Sequence, residues 1–287
     1  MVRVACIAWM DHLGNRKGVM SDRSSMGMKG AILMIHGGCC TGAVWNCMAT
    51  SFRDMGWRVE APTLFPQLRA TSGPSADLPK LSLADYVAEW EATAHRLEAE
   101  TGRLPIVFGH SMGGLIAQKL AELGVARAVV LLASSPPANM KVAPTLSSLV
   151  TFANLMFAPN FASKAIKIWE TGIKWGMLNC VPRSRRAEIC ATMCYESGRA
   201  FYDGAVQEKA SIDPARVTVP ILTVCAARDR VMSVATQRQI AARYQRADSD
   251  YLEYPDHAHW IVDEPGTEQV IADIAKWLNA KIVAEVS

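Results

Sequence analysis

Nothing in this sequence approaches the ~18 consecutive apolar residues of a membrane-crossing helix, although half of its 287 residues are hydrophobic. The missing run argues against a transmembrane helix. The high apolar content argues against global disorder, because such a chain can bury enough surface to offset its ordering entropy. No internal repeat or low-complexity tract is present, so solenoids and fibrous arrays are excluded. The eight cysteines, at 6, 39, 40, 47, 180, 190, 194 and 225, make no C-x-x-C pair and no zinc-ligand spacing with histidine. There is no glycine-rich nucleotide loop. The sequence therefore asks for no metal and no cofactor. Several cysteines stand among apolar residues, as reduced core thiols do, which points to a reducing, cytoplasmic compartment. A formal net charge of +3 is too small to argue for nucleic acid or an acidic membrane as partner. The expected partner is a small molecule, and a homodimer is compatible with the composition.

What is present centres on Leu104 to Leu123, LPIVFGHSMGGLIAQKLAEL. Ile106-Val107-Phe108 reads as a buried parallel strand, and Leu115, Ile116, Leu120 and Leu123 mark the apolar positions of a following helix. Between them lies Gly109-His110-Ser111-Met112-Gly113, a G-x-S-x-G nucleophile elbow in strand–turn–helix context. Glycines at both ends leave room for backbone where a Cβ would obstruct. Ser111 is the expected nucleophile.

Along the rest of the chain, short apolar strands alternate with helical segments. Ala31 to Ile35 ends in His36-Gly37-Gly38, the kind of loop that builds an oxyanion hole. The two donors would be the amides of Gly38, with Cys39 as the close alternative, and Met112. Val44, Met48 and Phe52 give Ala43 to Met55 a helical spacing, stopped at Gly56. Trp57 to Ala61 is a strand, and Thr63 to Lys80 a proline-broken loop. Ser82 and Asp85 resemble a capping box opening a helix to Thr101. Ala128 to Ala133 is the next strand.

From Ala138 to Ala210 no strand-like run is read; helical segments are expected over Leu146 to Phe157, Ala162 to Leu178, and Arg183 to Met193 and beyond. This block carries nine basic and five acidic residues, a net of +4, which leaves about −1 for the rest. Such charge is normally a solvated helix face, and a funnel for anionic substrates is the sharper alternative. The alternation resumes with strands at Ile221 to Cys225 and Tyr251 to Tyr254. It ends in a helix from Gly266 to Ile282 with Val270, Ile271, Ile274, Trp277 and Leu278 on one face. The expected fold is α/β: a mostly parallel sheet flanked by helices, formed by residues 29–137 and 211–287, with 138–210 inserted as an all-helical lid. Residues 1–28 read as a loose leader. Its apolar stretch Val4 to Met10 runs into Asp11-His12 without a cleavage site, unlike a secretory signal.

In an α/β sheet with such an elbow the serine is followed in sequence by an acid and then a histidine, each just beyond a strand. Asp229 is the acid that directly follows a buried strand. Of six histidines only His257 and His259 lie beyond it in the right place. The motifs HGG, GHSMGG, PILTVCAARDR and AHWIVDEPG together resemble the α/β-hydrolase fold superfamily from about Lys29 to the C-terminus. In relatives with this tail the catalytic histidine directly precedes Trp, which the resemblance carries to His259. The stretch from His36 to Trp45 also resembles the plant methylesterase and hydroxynitrile lyase branch, and the tail resembles bacterial esterases with a helical lid. A serine at the elbow, where dehalogenases and epoxide hydrolases need a carboxylate, sets those branches aside.

The resemblance implies a serine hydrolase cleaving a carboxylic ester, lactone or thioester of a small, fairly apolar acid. Ser111 would attack, His259 would relay the proton and Asp229 would orient the imidazole. The same fold and triad permit acyl transfer, perhydrolysis, C–C bond hydrolysis, lyase chemistry or a non-enzymatic receptor.

Overall fold

A computed structural model describes residues 29–206 and 210–283; the leader expected over 1–28 lies outside them. Short runs of β-branched and aliphatic residues form the strands. The first elements are β1 (Ala31–Ile35), α1 (Asn46–Asp54), β2 (Arg58–Glu60) and α2 (Leu83–Thr101). They are followed by β3 (Ile106–His110), α3 (Met112–Leu123) and β4 (Ala128–Leu132). Residues 138–210 contribute α4 (Leu146–Thr151), α5 (Ala153–Met156), β5 (Ala165–Ile166), α6 (Glu170–Gly172), α7 (Arg183–Thr192), β6 (Glu196–Ser197) and α8 (Gly198–Val206). The chain then returns through β7 (Ile221–Ala226), α9 (Val234–Arg243), β8 (Ser249–Tyr254) and α10 (Thr267–Leu278).

The six longer strands form one sheet in the order β2-β1-β3-β4-β7-β8, and every pairing in it is parallel. Strands buried on both faces read as near-continuous apolar runs, and their side chains alternate between two cores. Ile32, Met34, Ile106, Phe108, Val130 and Val224 enter one core together with α1 and α10. Leu33, Ile35, Val107, Val129 and Leu131 enter the other with α2 and α3. Ser82 accepts a hydrogen bond from the Asp85 amide while the Asp85 side chain accepts from the Ser82 amide, so the capping box forms and fixes where α2 begins.

Strand order reverses direction between β1, which leads outward to β2, and β3, which leads to β4. The crevice beyond the C-terminal ends at such a switch point is where open α/β sheets take ligands. His36-Gly37-Gly38 leaves the end of β1 and Ser111 leaves the end of β3, so both motifs face that crevice.

Residues 138–210 differ from the all-helical expectation. The stretch read as one helix over Leu146 to Phe157 breaks at Phe152 into α4 and α5. That over Ala162 to Leu178 is mostly not α-helical: Ala165–Ile166 pairs antiparallel with Glu196–Ser197. Ile166 and Ile168 are buried, whereas Lys167 between them is only half-buried. That alternation, period two and not 3.6, is the physical reason for the extended path. The insertion is thus helical pieces clasped by a two-stranded ladder.

Candidate active site

The elbow is built by close approach. A Cβ at Gly109 would stand 2.3 Å from the Gly113 carbonyl oxygen, and one at Gly113 would stand 2.3 Å from that of Ile35. Ser111 adopts φ 54°, ψ −121°, a region costly for a residue with a side chain and kept only where surroundings over-determine it. Here they do: the Ser111 amide donates to Leu132 O (3.1 Å), and its carbonyl accepts from Gly114 N (2.9 Å) and Ser135 N (2.9 Å).

Asp229 sits in the loop after β7. Its Oδ1 accepts from the amides of Val231 (2.6 Å) and Met232 (2.9 Å), which fixes the carboxylate and leaves Oδ2 for His259 Nδ1 at 2.8 Å. His259 Nε2 lies 3.1 Å from Ser111 Oγ. The His259 and Asp229 side chains are both almost fully buried. The loop after β8 delivers only one of its two imidazoles: His257 turns to Glu264, with Nδ1 2.9 Å from Oε1. A hydroxyl, an imidazole and an oriented carboxylate in series can deprotonate the serine and stabilise the imidazolium that results.

His110 approaches this array from the side of His259. Its Nε2–H donates to the His259 carbonyl at 2.7 Å, and its ring packs on the His259 ring with centroids 4.9 Å apart. Burial, and then the neighbouring His259, push the His110 pKa down to about 3. The ring is therefore neutral, with its proton on Nε2, and braces the loop carrying His259. Sequence reasoning missed this role, since adjacency to Ser111 says nothing about what the ring touches.

Gly38 and Met112 line the same cavity as Ser111. The alternative donor, the Cys39 amide, is committed elsewhere, to Glu196 Oε2 at 3.1 Å. Glu196 itself was not singled out from the sequence; an isolated acid in an inserted segment carries no motif.

The cavity over Ser111 measures about 330 Å³, and no charged side chain is among its lining residues. Leu115 of α3, Pro136 and Pro137 after β4, and Val231 and Met232 after β7 line it from the sheet side, and Phe152, Ile168, Met177 and Phe201 line it from the insertion. Four basic residues of the insertion are used elsewhere. Arg185 pairs with Asp263 and Lys174 with Glu170, while Arg186 and Lys167 donate to backbone carbonyls. Among the described residues no group of three or more His, Cys, Asp or Glu is placed to hold a metal ion.

An elbow serine, a histidine and a strand-terminal acid meeting beyond a parallel sheet define a hydrolase of the α/β class. The chain belongs to the alpha/beta hydrolase family, whose model matches residues 32–272. It is 25% identical over 210 residues, 68% of this chain and 70% of the relative, to a monoacylglycerol lipase of Mycolicibacterium smegmatis. Its fold is similar to that of a methylesterase from Arabidopsis, with a TM-score of 0.66, 15% identity, and coverage of 87% of this chain and 99% of that one. It is similar also to the monoacylglycerol lipase of Paleococcus ferrophilus, with a TM-score of 0.65, 19% identity, and coverage of 88% and 95%. Among the described residues no helix is long and apolar enough to cross a membrane.

Proposed function

We propose that the protein hydrolyses a neutral carboxylic ester through an acyl-enzyme on Ser111. His259 takes the Ser111 proton as Oγ attacks the carbonyl, and Asp229 holds the imidazole in the Nδ1–H tautomer and stabilises its charged form. The Gly38 and Met112 amides receive the oxyanion. The imidazolium then protonates the leaving alcohol, and a water activated by the same histidine releases the acid. The observation that carries this reading is the continuous contact Ser111–His259–Asp229 at the floor of a cavity free of charged groups.

Absence of charge in the cavity selects a substrate whose acyl and alcohol parts are uncharged near the reacting carbon, because an ion taken out of water there would have no partner. Residues 138–210 act as the lid that shapes this space. An ester substrate fits the names of the relatives, two monoacylglycerol lipases and a methylesterase. Cys39, Cys40, Cys180, Cys190, Cys194 and Cys225 are free thiols, which supports a reducing compartment. The test compares p-nitrophenyl butyrate with p-nitrophenyl hemisuccinate and follows labelling by a fluorophosphonate. Hydrolysis of the butyrate, discrimination against the anionic ester and loss of labelling in Ser111→Ala are expected. A labelled protein that turns over no ester would move the reading toward acyl transfer or lyase chemistry, and an unlabelled one toward a receptor.

A further inference from the structure

Glu196 is fully buried in the insertion, yet each of its carboxylate oxygens is engaged. Oε2 pairs with Arg69 Nη1 at 2.7 Å and accepts from the Cys39 amide at 3.1 Å. Oε1 accepts from the Tyr86 hydroxyl at 2.5 Å and from the Ser197 amide at 2.9 Å. Arg69 continues the network, donating from Nε to Leu64 O at 3.0 Å, while the Leu64 amide donates to His36 Nε2 at 3.1 Å. The residues on either side of Gly37-Gly38 are therefore tied to one buried ion pair, His36 through Leu64 and Arg69, and Cys39 directly through Glu196. The ladder end of the insertion grips the same loop a second time, for the Cys194 amide donates to Cys39 O at 2.9 Å. Cys39 is held at φ +60°, a conformation a non-glycine residue keeps only under constraint.

We propose that Glu196 is a positioning residue for the oxyanion hole: by holding the Cys39 amide it fixes the preceding peptide so that Gly38 N–H faces Ser111. The inference rests on the assignment of Ser111 and Gly38 made above. A buried ion pair contributes little net stability compared with apolar residues of the same volume, and its clearest use is to specify one geometry. The pair also stays neutral as a unit, so a carboxylate one residue from the oxyanion donor does not oppose the developing negative charge. Burial alone would raise the Glu196 pKa, but the Arg69 guanidinium outweighs it and keeps the carboxylate ionised.

The test uses the full chain and two variants. In Arg69→Met/Glu196→Met both charges are replaced by apolar groups of similar size, a change that usually preserves folding. In Glu196→Asp the charge stays but its reach shortens by one methylene. Active sites are counted by fluorophosphonate titration, and kcat and KM are measured per site. The Ki of a trifluoromethyl ketone, which forms a tetrahedral oxyanion on Ser111, is compared with that of the matching methyl ketone. Removing an oxyanion donor outright costs about 100- to 1,000-fold, so misaiming one should cost about 10- to 100-fold in kcat, with KM within about threefold. The trifluoromethyl ketone should weaken by the same factor and the methyl ketone should not. If kcat per site and the trifluoromethyl ketone Ki stay at wild-type values in Glu196→Asp, or in the double variant, Glu196 only holds the fold together and the inference is overturned. Should the double variant fail to fold, the Asp variant decides alone. Failure of the underlying assignment is separately visible, as ester turnover that survives in Ser111→Ala.

Discussion

The sheet and the insertion reach the same cavity by different means. Ser111, Asp229 and His259 leave the ends of β3, β7 and β8, elements locked by parallel pairing and two apolar cores. The insertion arrives in pieces of at most ten residues, joined by a two-by-two-residue ladder and secured by polar contacts such as that of Glu196 with Cys39. The reacting atoms need placement to a fraction of an ångström, and rigid elements supply it. The cavity walls need only be apolar and of the right size, which short helices provide. On the proposed function, chemistry would belong to the sheet and selectivity to the insertion.

The sharpest way to break that division is at the sheet. Ser111→Ala should lower kcat by roughly three to six orders of magnitude while leaving Tm nearly unchanged, because the hydroxyl faces the cavity and contributes little to packing. An alanine variant that keeps a substantial fraction of kcat would remove Ser111 from its role. The paired variants His259→Ala and His257→Ala should split cleanly. The first should lose several orders of magnitude in kcat. The second should keep most of its turnover but melt lower, since Glu264 would be left buried without its imidazole. If the His257 variant is the inactive one, the proton relay must be redrawn.

This division also explains what could be read from the chain. Strands buried on both faces leave uninterrupted apolar runs, such as AVVLL at β4 and ILTVCA at β7. The elbow leaves fixed glycine spacing, so the α/β fold and the strained turn at Ser111 are legible in the sequence. Choosing between His257 and His259 needed the resemblance, because two histidines one residue apart satisfy the same order rule. Residues 138–210 were misread as wholly helical because apolar residues there recur at mixed spacings, and the alternation at Ile166 and Ile168 spans too few residues to outweigh its neighbours. Glu196, Arg69 and Tyr86 lie up to 127 positions apart (196 against 69). No local pattern announces a network assembled only by tertiary contact.

Between pH 7.5 and 5 mild acid should act through histidines outside the insertion, which contains none of the six. Burial, and then the Arg69 charge, lower the His36 pKa to about 4, and His110 lies at about 3. Both are below the ~6.5 of an unfolded histidine, so between these values the unfolded chain binds protons that the folded chain does not. The stability these groups contribute is thus complete above pH 6.5 and is lost as pH falls toward 4 and then 3. The total is on the order of a few kcal/mol. Urea unfolding at pH 7.5 and pH 5 should show the loss. His110→Gln, which retains a donor near the His259 carbonyl, should flatten the dependence; an unaltered slope would mean that His110 is not held neutral.

The mildest effect belongs to the cavity wall, and it tests whether selectivity resides in the insertion. Phe201 of α8 packs edge-on against Phe152, with ring centroids 5.7 Å apart, and a Cβ added at Gly38 would stand 3.4 Å from its ring. The ring therefore limits the space beside the donor loop, where the substituent of a bound carbonyl must fit. Phe201→Ala should enlarge that space without touching Ser111, Asp229 or His259. A series of p-nitrophenyl esters from acetate to octanoate should then shift toward longer or branched acids. The ratio of kcat/KM between short and long esters should change by about 10- to 200-fold, the range worth about 1–3 kcal/mol that an apolar pocket commands over differences in size. Leu115→Ala opens a wall that the sheet side supplies through α3, and there the comparison becomes decisive. If Leu115→Ala moves acyl preference as far as Phe201→Ala does, the sheet shares in selectivity. If only Phe201→Ala moves it, the insertion alone sets which acid enters, and new specificities can be sought by varying its walls while the sheet keeps the reacting atoms in place.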